Sequence, residues 1–198
     1  MKNIIAGLLL SALALGAGDQ KSTPAGKALG APTAPVTLEV FSDFQCPSCK
    51  TLYEDTLKPL IADYVFKGTV YMIHRDFPLP MHPHARGAAI FANASLRVHK
   101  YELVCAALFR QQAVWAANGK IDDAVASVLS PAEMLKVRAL IKDPQMSTEM
   151  EQDIAVGVKA KVRQTPTMIF THKGRSYPVT GTVNYAILRK FIDDLLSK

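Results

Sequence analysis

Two cysteines separated by two residues, Cys46-Pro47-Ser48-Cys49, are the most chemically pointed feature of this 198-residue chain. Thiols at that spacing can close a disulfide, bind a metal as thiolates, or exchange disulfides with another molecule. Pro47 suits the first position of a helix, which places Cys46 at the N-cap. The unpaired N–H groups and the dipole there favour negative charge. The thiolate is the reactive form of cysteine, so this position predicts a lowered pKa and an activated Cys46. Cys49 falls one turn further on, on the same face, within reach of a mixed disulfide at Cys46.

Other residues compete for a chemical role. His82 and His84, together with Cys46 and Cys49, make a possible zinc or copper set. They lie more than thirty residues after Cys49, however, and the favoured reading is a turn that caps a helix. Cys105 sits in the apolar stretch Leu103 to Phe109 and reads as a buried, inert thiol. Tyr101, Phe109 and Trp115 recur at helical spacing and read as packing. Thr165-Pro166, taken alone, reads as a trans-proline before an edge strand.

The elements around these residues follow from periodicity. Val36 to Phe41 is a β-rich run. Cys46 to Phe66 reads as a helix, kinked at Pro59 and ended by Gly68. Thr69 to Ile73 is a second strand. Between His84 and Leu140 the pattern is helical, over Ala88 to Leu96, Tyr101 to Ala117 and Ile121 to Leu129. Ser130-Pro131-Ala132-Glu133 starts a further helix. Another begins near Thr148 as a capping box with Glu151, with Met150, Ile154, Val158 and Val162 as its stripe. Thr167 to Thr171 and Ser176 to Thr180 form a hairpin around His172-Lys173-Gly174-Arg175. Asn184 opens a last helix with Ile187, Leu188, Phe191 and Leu195 on one face.

Composition and the first residues bear on place and partners. The chain is 49% hydrophobic and 20% charged, which excludes disorder or a fibrous repeat as a reading of the whole. Its net charge of +6 is spread without any Lys/Arg run longer than two, so a solvated basic surface is favoured over a nucleic-acid site. Three cysteines are too few for a disulfide-stapled scaffold. Lys2, the apolar run Ile4 to Leu15 and the small residues Gly16-Ala17-Gly18 follow the order of a secretory signal peptide. Cleavage is expected after Ala17, and the run is too short to span a bilayer. With no cysteine at the end of that run, a lipid anchor is not expected. Gly18 to Pro35, rich in Pro, Gly and Ala, reads as a flexible linker.

The stretch Val36 to Cys49 resembles the active-site strand and helix start of the DsbA-like branch of the thioredoxin superfamily. His74-Arg75-Asp76-Phe77-Pro78-Leu79, with His82-Pro83-His84-Ala85, resembles the segment entering that branch's helical insertion. Gln164-Thr165-Pro166-Thr167 is similar to its cis-proline loop. The resemblance implies an α/β thioredoxin fold, with a central mixed sheet ordered β-α-β then α-β-β-α. That domain would span 36–198, with a helical insertion at about 80–146. It implies Cys46 as the exposed nucleophile and Cys49 as the resolving thiol. Pro166 would be cis, opposite the cysteines, and Thr165 would pair with an extended substrate strand. Pro47 and Ser48 would join them in binding substrate. Many relatives carry a buried acid six residues before the first cysteine. Here Val40 stands there, and Glu39 is expected on the opposite face.

These readings converge on an exported thiol:disulfide oxidoreductase without a cofactor or a metal, soluble in a periplasm-like compartment after signal cleavage. Its expected role is oxidation of folding proteins that carry cysteines. A membrane redox partner that recycles the disulfide follows from the resemblance alone. The alternatives are a disulfide reductase or isomerase and, less favoured, a Cys/His metal-binding chaperone.

Overall fold

The computed structural model describes residues 26–197. The readings of 1–17 as signal peptide and of 18–25 as linker lie outside those residues. Five strands make one sheet: β1 (Ala28–Leu29), β2 (Val36–Ser42), β3 (Val70–Asp76), β4 (Thr167–His172) and β5 (Arg175–Thr180), in the order β1-β3-β2-β4-β5. β2 runs parallel to β3, with Val40 beside His74, and antiparallel to β4, with Val40 beside Met168. The parallel pair needs a crossover, and the helix that follows the two cysteines supplies it. β4 and β5 close as a two-residue hairpin in which Lys173 and Gly174 have φ 48° and 73°, as a right-twisted ribbon requires.

The crossover runs from α1 (Pro47–Leu52) through α2 (Lys58–Leu60), with π-helical turns at Tyr53–Leu57 and Ile61–Val65. Pro59 has no N–H to offer the preceding turn, and the helix widens around it without ending. Five helices separate β3 from the next long helix: α3 (Ala85–Leu96), α4 (Tyr101–Arg110), α5 (Gln112–Asn118), α6 (Ile121–Ala126) and α7 (Pro131–Leu140). Ser130 and Glu133 cap α7 reciprocally. The helix expected over Tyr101 to Ala117 is broken at Gln111. None of the described helices is long and apolar enough to cross a membrane.

Three expectations need correction. The linker reading fails for 26–35, because β1 pairs with β3 and Lys27 is buried. A two-residue strand has no periodicity to detect, and the partners of Lys27 come from distant chain. Its Nζ lies 2.5 Å from Asp76 Oδ2 and also meets Asp153. Burial alone would lower the Lys27 pKa, yet these two carboxylates raise it. Gly30, at φ 90°, completes the approach, since a Cβ there would stand 2.7 Å from the Val70 carbonyl oxygen.

The helix expected near Thr148 is α8 (Pro144–Lys159), which begins four residues earlier and is capped by Asp143, whose side chain accepts the Gln145 N–H at 2.9 Å. Its buried face is Met146, Glu149, Met150, Asp153 and Gly157, while Val158 is exposed. Apolar periodicity misread this face because two of its members are acids paired with Arg97, Lys27 and Arg75. On α9 (Tyr185–Leu196), Leu188, Ile192 and Leu195 are buried and Ile187 faces solvent.

The core has two parts. Val36, Leu38 and Val40 of β2 join the main cluster with α1, α3 and α4, while Phe41 joins Phe77, Val162 and Ile169 on the other face. Glu39 turns toward Arg75, which donates through Nε at 2.9 Å. Val40 and Glu39 thus point to opposite faces, as strand alternation requires.

Candidate active site

The site begins where β2 ends. Asp43 terminates the strand, and its carboxylate accepts the Gln45 N–H at 2.7 Å and the Leu79 N–H at 2.8 Å. Cys46 is the N-cap of α1, at φ −76° and ψ 121°, with Pro47 first in the helix. Its carbonyl accepts the N–H groups of Cys49 at 3.1 Å and Lys50 at 3.2 Å. Both cysteines are free thiols. Pro47 and Ser48 are exposed between them.

The two sulfurs have opposite environments. The Cys46 thiol is brought down to about 5, first by the hydrogen bond from the Cys49 thiol. Burial opposes this, while the Cys49 N–H, the Thr165 side chain and the Ser48 N–H add to it. Helix-start donors therefore contribute, but the second thiol contributes most. Cys49 is pushed well above its ordinary value, first by burial and then by Cys46. Its sulfur accepts the Asp43 N–H at 3.4 Å.

One expectation about Cys46 changes. It was expected exposed, yet it is only 7% exposed, against 1% for Cys49. The cause is the loop before β4, where the Thr165–Pro166 bond is cis. That loop sets the Thr165 carbonyl oxygen 3.5 Å from Cys46 Sγ. Thr165 and Pro166 are themselves buried, so the four residues assigned to substrate binding divide into an exposed pair and a covered pair.

The histidines are held elsewhere. His82 Nδ1 lies 2.7 Å from Asp43 Oδ2, and His84 stands at the start of α3 with no side-chain cap bond. Among the described residues, no three His, Cys, Asp or Glu side chains converge as metal ligands. Cys105 is 1% exposed, and burial raises its pKa well above the ordinary value. Tyr101, Phe109 and Trp115 are buried as packing.

Sequence reasoning missed three contributors. Asp43 joins the redox turn to the segment after β3. Gln45 Oε1 accepts the His84 N–H at 2.7 Å. Gln112 reaches the turn from α5, donating to the Phe44 and Cys46 carbonyls at 2.7 and 3.0 Å. Asp43 and Gln45 stood within the resembled segment, whereas nothing local marks Gln112. His74, beside Val40 in register, stacks on Phe44 at 5.3 Å, and burial brings it down to about 4.

A thiol of lowered pKa at a helix start, a shielded partner one turn later and a cis-proline loop across from both define a class: thioredoxin-fold thiol:disulfide oxidoreductases. The family described as thioredoxin matches residues 22–194, and the chain belongs to it. The "Disulfide bond formation protein D" of Bacillus subtilis is 28% identical over 164 residues, covering 78% of this chain and 71% of that protein. The oxidised crystal structure of BdbD from Bacillus subtilis matches with a TM-score of 0.72 at 22% identity, covering 87% of this chain and 93% of that one. Wolbachia pipientis alpha-DsbA1 matches with a TM-score of 0.71 at 19% identity, covering 85% and 89%. The DsbA-like resemblance carried by Val36 to Cys49 holds, and the helices between β3 and α8 are the insertion within that fold.

Proposed function

We propose that this protein is an exported oxidant that donates the Cys46–Cys49 disulfide to folding proteins. The observation that carries the reading is the asymmetry of the two thiols: Cys46 sits at about 5 and Cys49 is pushed up. A stabilised Cys46 thiolate favours the reduced enzyme and makes its disulfide an oxidant.

The cycle balances at two electrons. A substrate thiolate attacks Cys46 Sγ and breaks the Cys46–Cys49 bond, and Cys49 leaves and takes up a proton. A second substrate thiolate then attacks the substrate sulfur of the mixed disulfide, and Cys46 leaves as thiolate. The substrate has lost two electrons and the enzyme has gained them. Pro47 and Ser48 would face the substrate, and the Thr165 backbone would pair with it as an added strand. Residues 1–17 would act as the signal peptide, and a membrane redox partner would restore the disulfide.

The test is the equilibrium of the Cys46/Cys49 pair with glutathione. An oxidant should stand well above the roughly −270 mV of a thioredoxin-type reductant. A value at or below that mark would assign the reductase role. An alkaline phosphatase fusion to residues 1–17 should be active outside the cytoplasm.

A further inference from the structure

The turn that carries the nucleophile is held by a residue from the insertion. Gln112 is the first residue of α5, directly after the break at Gln111, and only 5% exposed. Its Nε2 donates at 2.7 Å to the Phe44 carbonyl and at 3.0 Å to the Cys46 carbonyl, 68 and 66 residues away. A primary amide has two N–H groups, enough to serve both acceptors. The insertion thus reaches across the molecule to grip the residues on either side of Gln45.

We propose that Gln112 is a positioning residue of the redox centre, holding the Phe44 and Cys46 carbonyls so that α1 presents N–H groups, not carbonyl oxygens, to the Cys46 sulfur. The Cys46 carbonyl also accepts from Cys49 and Lys50, so its direction sets the first turn of the helix. The N–H groups of Ser48 and Cys49 help to lower Cys46. The Phe44 carbonyl takes its hydrogen bond from Gln112, and without it that oxygen, free to swing toward the sulfur, would oppose them with its negative partial charge. The disulfide carries no charge on sulfur. The grip therefore stabilises the reduced form more than the oxidised form, and it acts on the potential. The other ionisable groups around the turn, Asp43, Cys49, Lys50, His74 and His82, accept no hydrogen bond from the Gln112 amide and remain in the variants below.

This inference rests on the oxidant reading of the same pair, but its test is a shift relative to the unaltered protein, not an absolute potential. Gln112→Met keeps the volume and removes both donors. Gln112→Glu keeps the shape and sets an acceptor against the two carbonyls. Thiolate absorbance against pH should show Cys46 rising by about 0.5 to 1 in Gln112→Met. The glutathione equilibrium at pH 7 should then move about three- to tenfold toward disulfide. Gln112→Glu should move both readings in the same direction and further. Equal loss of thermal stability in the oxidised and reduced forms, with titration and equilibrium unchanged, would overturn the proposal and leave Gln112 a purely structural residue. A variant that folds only as the disulfide is the expected effect in extreme form. Variants that fold in neither state would also overturn it.

Discussion

The sulfur of Cys46 lies 3.5 Å from the carbonyl oxygen of Thr165, a residue 119 positions further along the chain. As a thiol, Cys46 can donate to that carbonyl. As a thiolate it needs donors, and the Thr165 hydroxyl is buried with no hydrogen-bond partner in the dithiol form. Its side chain is among the groups that lower Cys46. Thr165→Val should therefore raise the Cys46 pKa by about 1, because a hydrogen bond to a charged group contributes about 1.5–3 kcal/mol at most. Thr165→Ser should restore the original titration. An unchanged thiolate absorbance curve for Thr165→Val would remove the hydroxyl from the account.

In the proposed cycle, the difference between the two sulfurs sets which cysteine captures substrate. Cys49→Ala should accumulate mixed disulfides at Cys46, since the resolving thiol is gone. Cys46→Ala should accumulate far fewer, because the Cys49 sulfur is buried and stays protonated near neutral pH. Non-reducing gels of the two variants incubated with a reduced, unfolded protein make the comparison. Equal trapping by both would reverse or abolish the assignment.

The pH dependence follows from the direction of each shift. Cys46 titrates at about 5 in the folded protein, well below its ordinary value of about 9. A depressed pKa contributes stability that is complete above the unfolded value and is lost as pH falls through the folded one. Cys49 is raised, so it stays protonated in both states below neutral pH and adds nothing there. The disulfide form has neither group. The stability of the dithiol form relative to the disulfide form should therefore shrink steadily from pH 7 to pH 5. Paired thermal melts of the two forms across that range measure it. A constant difference would contradict a thiolate at Cys46.

Lys27 should matter to the fold and not to the chemistry. It is fully buried between Asp76 and Asp153, and Arg75 Nη1 meets the other oxygen of Asp153 at 3.0 Å. Removing one partner of a buried ion pair leaves uncompensated charge, which costs about 3–5 kcal/mol. Lys27→Met should lower the urea stability by that order, with the Cys46 titration unmoved. Pairing it with Asp153→Asn should recover part of the loss. A drop below about 1 kcal/mol would show that water or rearrangement relieves the two acids.

Local features were legible in the chain alone. Pro47 after Cys46 and the strand before it were enough to place Cys46 at a helix start, because N-cap geometry depends on neighbours in the chain. From β2 onward the order of strands and helices was legible from periodicity, as was the capping box at Ser130 and Glu133. Burial decided by distant partners was not legible. Lys27, Glu149 and Asp153 are charged residues that local pattern assigns to solvent, and each is buried by a partner at least 49 positions away. Tertiary structure alone brought Thr165 onto the Cys46 sulfur, covering a residue expected to be exposed. It alone turned Gln112 onto the carbonyls of the redox turn, through a helix break that apolar periodicity ran straight across. A hydrogen bond between residues 66 positions apart leaves no trace in spacing, because only the fold brings donor and acceptor within reach.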